Sequence, residues 1–161
     1  MSTADAVDRE AAWLASFGDG LPALLAAAGG PFDVVQAYLR RTPQGRTKQL
    51  YVTRRHLREE RFAHPRRMPR YQFELRIIWP MSSNSGAAED SQRALDEAVD
   101  LVLQRVGGFV GDKSHGGRFL SAAENPPEVT VSFSDPERSM DARADLEATV
   151  SYWADDTEIT G

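Results

Sequence analysis

An alternation of apolar and polar residues at positions 71–79 constrains the fold of this chain more than any other stretch. In Tyr71-Gln72-Phe73-Glu74-Leu75-Arg76-Ile77-Ile78-Trp79 the residues Tyr71, Phe73, Leu75, Ile77 and Trp79 fall on every second position, which places them on one face of a strand. Such a face must be covered. The cover is predicted a few residues later, where Leu95, Ala98, Val99, Val102 and Val106 recur at helical spacing between the polar Asp90, Arg93, Asp96, Glu97, Asp100 and Gln104. A helix over residues 88–106 therefore packs its apolar stripe on the strand. Pro80 ends the strand, and the linker Ser82-Ser83-Asn84-Ser85-Gly86 offers helix caps. Glu89 and Asp90 suit the N-terminal dipole, and Gly107 supplies a stop after Arg105.

Around this pair the remaining elements are read in order. Residues 4–17 are predicted as a short helix with Val7, Ala11, Trp13, Leu14 and Phe17 turned inward, stopped by Gly18-Asp19-Gly20. A second short helix follows, with Pro22 in its first turn and Gly29-Gly30 at its end; its Leu and Ala content predicts that protein covers it. Residues 32–42 fit a strand, or a helix opened by Pro31, and the strand is preferred. With Thr42-Pro43-Gln44-Gly45 as a tight reversal, Gln49-Leu50-Tyr51-Val52-Thr53 becomes the returning strand of a hairpin. Residues 107–125 are Gly- and Ser-rich and read as a loop anchored by Phe109, Val110, Phe119 and Leu120. Residues 128–134 and the face Leu146, Ala148, Val150 and Tyr152 supply two more strands, before a short acidic tail at 154–161. The expected class is α+β: a mainly antiparallel sheet of about five strands, one long amphipathic helix on one face, and short N-terminal helices. At 161 residues the chain is most simply one domain.

Between two strand signals lies a stretch without a clean period, residues 54–70, which holds Arg54, Arg55, Arg58, Arg61, Arg66, Arg67 and Arg70. Ordinary connections run about 4–6 residues, so a longer one is a solvated hairpin tip or an arm that touches another molecule. Its charge is the unusual feature. Residues 40–76 carry 12 Lys or Arg against 3 Glu, whereas the rest of the chain carries 7 against 21, within a net charge of -5. Such asymmetry suits an anionic ligand, or copies of the chain meeting basic surface to acidic surface. Nucleic acid is one such ligand, with Phe62 or His56 stacking on bases, but Glu59 and Glu60 interrupt the arm and the chain is acidic overall. Arginine forks meeting carboxylates of a neighbouring subunit compete well with it.

Catalytic and metal chemistry finds little support. The chain has no cysteine, which excludes disulfides, thiolate nucleophiles and sulfur-ligated zinc or iron-sulfur sites. His56, His64 and His115 read as polar loop histidines, the first two among arginines that repel a cation. Asp96 with Asp100, and Asp155 with Asp156, read as solvated carboxylates. Gly107-Gly108-Phe109-Val110-Gly111-Asp112-Lys113-Ser114 departs from phosphate-loop spacing and follows a helix rather than a strand. No cofactor is expected. The acidic first ten residues lack the pattern of a signal peptide, and the longest apolar run, residues 21–28, is far below the roughly 20 residues that span a bilayer, so no membrane partner is expected.

The sequence of elements resembles a known family. Two N-terminal helices, a strand pair with a long connection, the strand at 71–79, the helix at 88–106 and closing strands through Tyr152-Trp153-Ala154-Asp155 are similar to the tail terminator, or tail-completion, proteins of long-tailed bacteriophages. The resemblance implies a small, non-enzymatic α+β protein of the virion, made in the host cytoplasm. It would form a homo-oligomeric ring, a hexamer in that family, on the last ring of tail-tube protein at the head-proximal end, and meet the head-tail connector protein; DNA would only pass through. It implies that the arm at 54–70 contacts a neighbouring subunit, the tube or the connector. The outer acids Asp90, Glu97 and Asp100 are candidates to receive a neighbour's arginines, because a closed head-to-tail ring needs two complementary surfaces on each copy. A head-tail connector or neck component, and a nucleic-acid-binding protein using the arm, are the alternatives.

Overall fold

The alternating segment is realised as a strand in the middle of the sheet. A computed structural model describes residues 3–16, 20–39, 47–63, 66–80, 85–108, 113–116, 118–133, 146–156 and 159–160. In it β3 (Arg66–Trp79) is hydrogen-bonded antiparallel to β2 (Gln49–Ala63) on one side and to β6 (Leu146–Asp155) on the other. Tyr71, Phe73, Leu75, Ile77 and Trp79 are each at most 2% exposed, while Gln72, Glu74, Arg76 and Ile78 between them are half-buried. Cross-strand partners share a face, so Leu50 opposite Ile77, Val52 opposite Leu75 and Ala148, Val150 and Tyr152 of β6 extend the same apolar surface.

Two helices lie on that face. In α2 (Ser85–Gly107) the predicted stripe Leu95, Ala98, Val99, Val102 and Val106 is buried in one cluster with the β3 face, and α1 (Thr3–Ala15) adds Ala6, Val7, Ala11, Trp13 and Leu14. The helix of α2 begins before Glu89, so that residue lies beyond the first turn and instead pairs with Arg93 at 2.9 Å, one turn on. Phe17, the linker at 82–84, Phe109 and Val110 lie outside the described residues.

The sheet has the order β1-β2-β3-β6-β4, with β1 at Val34–Ala37 and β4 at Ser121–Ala122; β5 (Thr130–Phe133) pairs with β6, and β7 (Ile159–Thr160) with β3. It is mixed rather than purely antiparallel, and this corrects the expected hairpin at 32–53. β1 runs parallel to β2, with Val34 opposite Gln49 and Ala37 opposite Val52. The amides of Asp33 and Val34 both donate to the Lys48 carbonyl, at 2.8 and 3.2 Å, so the two strands start side by side and no tight reversal can join them. The expected turn at 42–45 lies outside the described residues.

Three further expectations change. The second N-terminal helix is a single 3-10 turn, Ala26–Ala28, with none of its residues buried. The backbone around it is drawn into a bridge between Leu25 and Phe32, with Phe32 N donating to Leu24 O at 2.9 Å and Ala26 N to Phe32 O at 2.7 Å. Gly30 permits this: a Cβ there would stand 2.1 Å from the Leu24 carbonyl carbon. The Gly-rich stretch keeps Phe119 as a buried anchor but leaves Leu120 60% exposed, and it contains β4. The acidic tail belongs largely to the sheet: β6 continues through Asp155, Asp156 is fully buried, and Ile159 and Thr160 pair with Arg67 and Arg66.

Candidate assembly surface

The stretch at 54–70 is strand rather than loop. β2 and β3 continue through it as an antiparallel ribbon with Arg58 opposite Arg70 and Ala63 opposite Arg66. Register shifts between Arg54 and His56, and between Glu60 and Ala63, swap the faces to which successive side chains point. On the described part of β2 beyond Thr53, Arg54 to Arg58 are all exposed, so nothing there demands apolar residues at alternate positions. These two facts remove the alternation by which a strand is read from sequence.

Arg54, Arg55 and Arg58 are exposed on β2, and the Arg54 guanidinium lies over the Tyr38 ring at 5.7 Å. Arg61, Arg66 and Arg67 have their backbones in the ribbon, and their side chains lie outside the described part of the structure. Arg70 is turned to the chain's own carboxylates. Its Nη2 donates to Glu128 Oε2 at 2.7 Å, its Nε lies 3.2 Å from Asp155 Oδ1, and its guanidinium lies over the Trp153 ring at 5.0 Å. These contacts offset the repulsion from Arg58 directly across the ribbon. Asp90, Glu97 and Asp100 are exposed on α2, in the helical layer rather than on the ribbon, so the structure gathers the candidate residues into two separate surfaces.

A buried cluster escapes the sequence reading. His115, expected as a polar loop residue, is 2% exposed: its Nδ1 lies 2.7 Å from Glu10 Oε1 and its Nε2 lies 2.7 Å from Val106 O. Its ring stacks on Trp13 at 3.8 Å, and the buried Arg105 lies over the other partner in that stack, 4.3 Å from the Trp13 centroid. Burial alone would lower the His115 pKa, but the charge and hydrogen bond of Glu10 and the Val106 carbonyl outweigh burial and the repulsion of Arg105, so it is raised. Tyr152 is pushed well above the usual phenol range by burial first and by the Glu10 carboxylate beside it, and so stays neutral. Glu10 was legible as a carboxylate set in the stripe of Val7, Ala11 and Leu14; His115 carried no such signal.

The other acid-base expectations divide. Asp156, expected to be solvated, accepts from Arg9 Nη2 at 3.0 Å with its side chain fully buried, because β6 and Pro69 draw the chain end inward. His56 is exposed and stacks near Trp153, as a polar strand residue, and His64 lies outside the described residues. Among the described residues no group of three or more His, Cys, Asp or Glu is arranged to hold a metal ion, and no helix is long and apolar enough to cross a membrane. No protein-family model matches the chain, and no curated protein matches it.

Proposed function

We propose that this chain is a structural component of a long-tailed phage virion, a tail terminator that forms a ring on the end of the tail tube and joins it to the head connector. The observation that carries this reading is the β2–β3 ribbon. It continues past the end of β1 and presents Arg54, Arg55 and Arg58 to solvent on a chain that is otherwise acidic. A ring needs each copy to show two unlike, complementary surfaces. The basic ribbon and the acidic remainder of the chain, Asp90, Glu97 and Asp100 among its exposed acids, satisfy that requirement. The role is one of assembly rather than catalysis, with DNA as passing cargo, and the location is the head-proximal end of the tail.

Negative-stain imaging of the purified protein, alone and with tail-tube protein at low salt, tests this. Rings with a central hole, and their loss in the variant Arg55→Glu, Arg58→Glu, are the expected results. A strictly monomeric protein that ignores the tube would sink the reading. Rings that bind connector protein but not the tube would move it to a neighbouring neck component.

A further inference from the structure

Two edges of the sheet that no described residue covers complement each other, and on them we propose a specific subunit contact: the β2 edge beyond Thr53 in one copy pairs antiparallel with the β5 edge of the next, so the sheet continues from copy to copy. This deepens the ring reading and rests on it.

Among the described residues the first edge is left uncovered where β1 ends. β1 accompanies β2 only from Gln49 to Val52. Tyr38 N makes a last bond to Val52 O at 2.8 Å, and the positive φ of Tyr38, 63°, breaks the extended path of the chain there. From Arg54 to Ala63, β2 pairs among the described residues with β3 alone. The second edge is β5, which among the described residues pairs only with β6. An uncovered strand edge is a template for another strand.

The side chains on the two edges match. Leu57 is 52% exposed and Phe133 54%, and each sits on one of these edges. Leu57 is opposite Tyr71 and Phe133 is opposite Ala148, and both partners are buried under the helices, so both exposed residues belong to the helix-side face. Joining the edges brings the two together on one side of a continuous sheet. Charge does not oppose the contact: the β2 edge carries Arg54, Arg55 and Arg58, and Thr130–Phe133 carries no charged residue. The symmetric alternative, two β2 edges paired antiparallel about Leu57, would set Arg54 and Arg55 against Glu60 and Glu59 and leave Phe133 uncovered; it predicts cross-linking of the Leu57→Cys protein alone. Strand direction follows from the sheet itself. β2 opposes β3, β3 opposes β6 and β6 opposes β5, so a neighbour's β5 arriving in the same sheet runs antiparallel to β2. The contrary account is that the arginines merely keep a lone edge from aggregating; it leaves Leu57 and Phe133 uncovered.

The absence of cysteine makes the test clean. Leu57→Cys protein and Phe133→Cys protein are prepared separately and treated with a short bis-maleimide, singly and mixed. The expected result is covalent dimer in the mixture, several-fold above either protein alone, and a ladder from the double variant. Rings in the microscope without a mixed cross-link overturn the edge contact and leave the ring reading standing. Cross-links without closed rings keep the edge contact and overturn the ring; monomer without cross-links overturns both. Amide exchange of the unmodified protein guards against variants that misfold. Protection at 54–58 and 130–133 should rise with protein concentration, and concentration-independent exchange at both edges counts against the contact.

Discussion

At the level of single residues, the cluster of Glu10, Trp13, Arg105, His115 and Tyr152 makes α1 part of the core. The Val106 carbonyl can only accept, so the His115 Nε2 facing it must carry a proton and donate. A further proton then lies between Nδ1 and the Glu10 carboxylate. Arg105 adds a second tie, donating from Nη2 to Trp13 O at 2.8 Å. The folded-state pKa of His115 is raised, so the stability it contributes is full below the ordinary imidazole value of about 6.5 and is lost as pH rises through the raised value. Above that point Glu10 is left as a buried charge with a neutral partner. The expected outcome is a urea midpoint that falls from about pH 6.5 upward. Glu10→Gln should cost about 2 kcal/mol near neutrality, the scale of a hydrogen bond to a charged group, and should flatten the profile. Parallel pH profiles for the two proteins would rule out this pair as the source.

Among the elements, β3 holds the two halves of the chain together, since β2 and β6 pair with it from residues far apart in sequence. Leu75 lies at the middle of its covered face, fully buried, with Val52 and Val150 on either side. Leu75→Ala should therefore cost about 2–5 kcal/mol, as buried leucines do, while Gln72→Ala on the open face should stay within about 0.5 kcal/mol. Denaturant melts of both variants check this, and equal losses would place the core on the wrong face. The same contrast explains what could be read from sequence. β3, α2 and β6 announced themselves because each has one covered face, which forces a period of two or of about three and a half. In the ribbon residues 54–58 are all exposed and the register shifts twice, so its arginines could be picked out by charge but not recognised as strand. β1 was legible as a strand but not in its direction, because apolar alternation is the same whichever way a neighbour runs. Glu10 and Arg105 were visible as charges within apolar stripes; their partner His115 depends on where the turn after α2 brings it.

For the whole molecule, the proposed contact joins two kinds of interaction whose responses to salt differ. The exposed arginines of one copy and the acidic remainder of the next attract through solvent, and that attraction is screened over about 10 Å at 0.1 M ionic strength and about 3 Å at 1 M. The burial of Leu57 against Phe133 is not weakened by salt and contributes roughly 1–2 kcal/mol, given that each is about half exposed beforehand. Assembly followed by sedimentation should thus weaken between about 0.05 and 0.5 M salt, the range over which screening shortens, without vanishing. The two parts separate by substitution. Arg55→Glu should reduce the steepness of the salt dependence, because it removes an attraction that salt would otherwise screen. Leu57→Ser should leave the steepness unchanged and shift the whole curve to higher protein concentration, by about tenfold for a loss near 1.4 kcal/mol. A polyanion-binding ribbon behaves differently: its affinity for a DNA fragment would fall with a steep power of salt concentration, and Leu57→Ser would not touch it. If Leu57→Ser leaves self-association unmoved while Arg55→Glu abolishes DNA binding, the ribbon is a nucleic-acid surface and not a subunit contact.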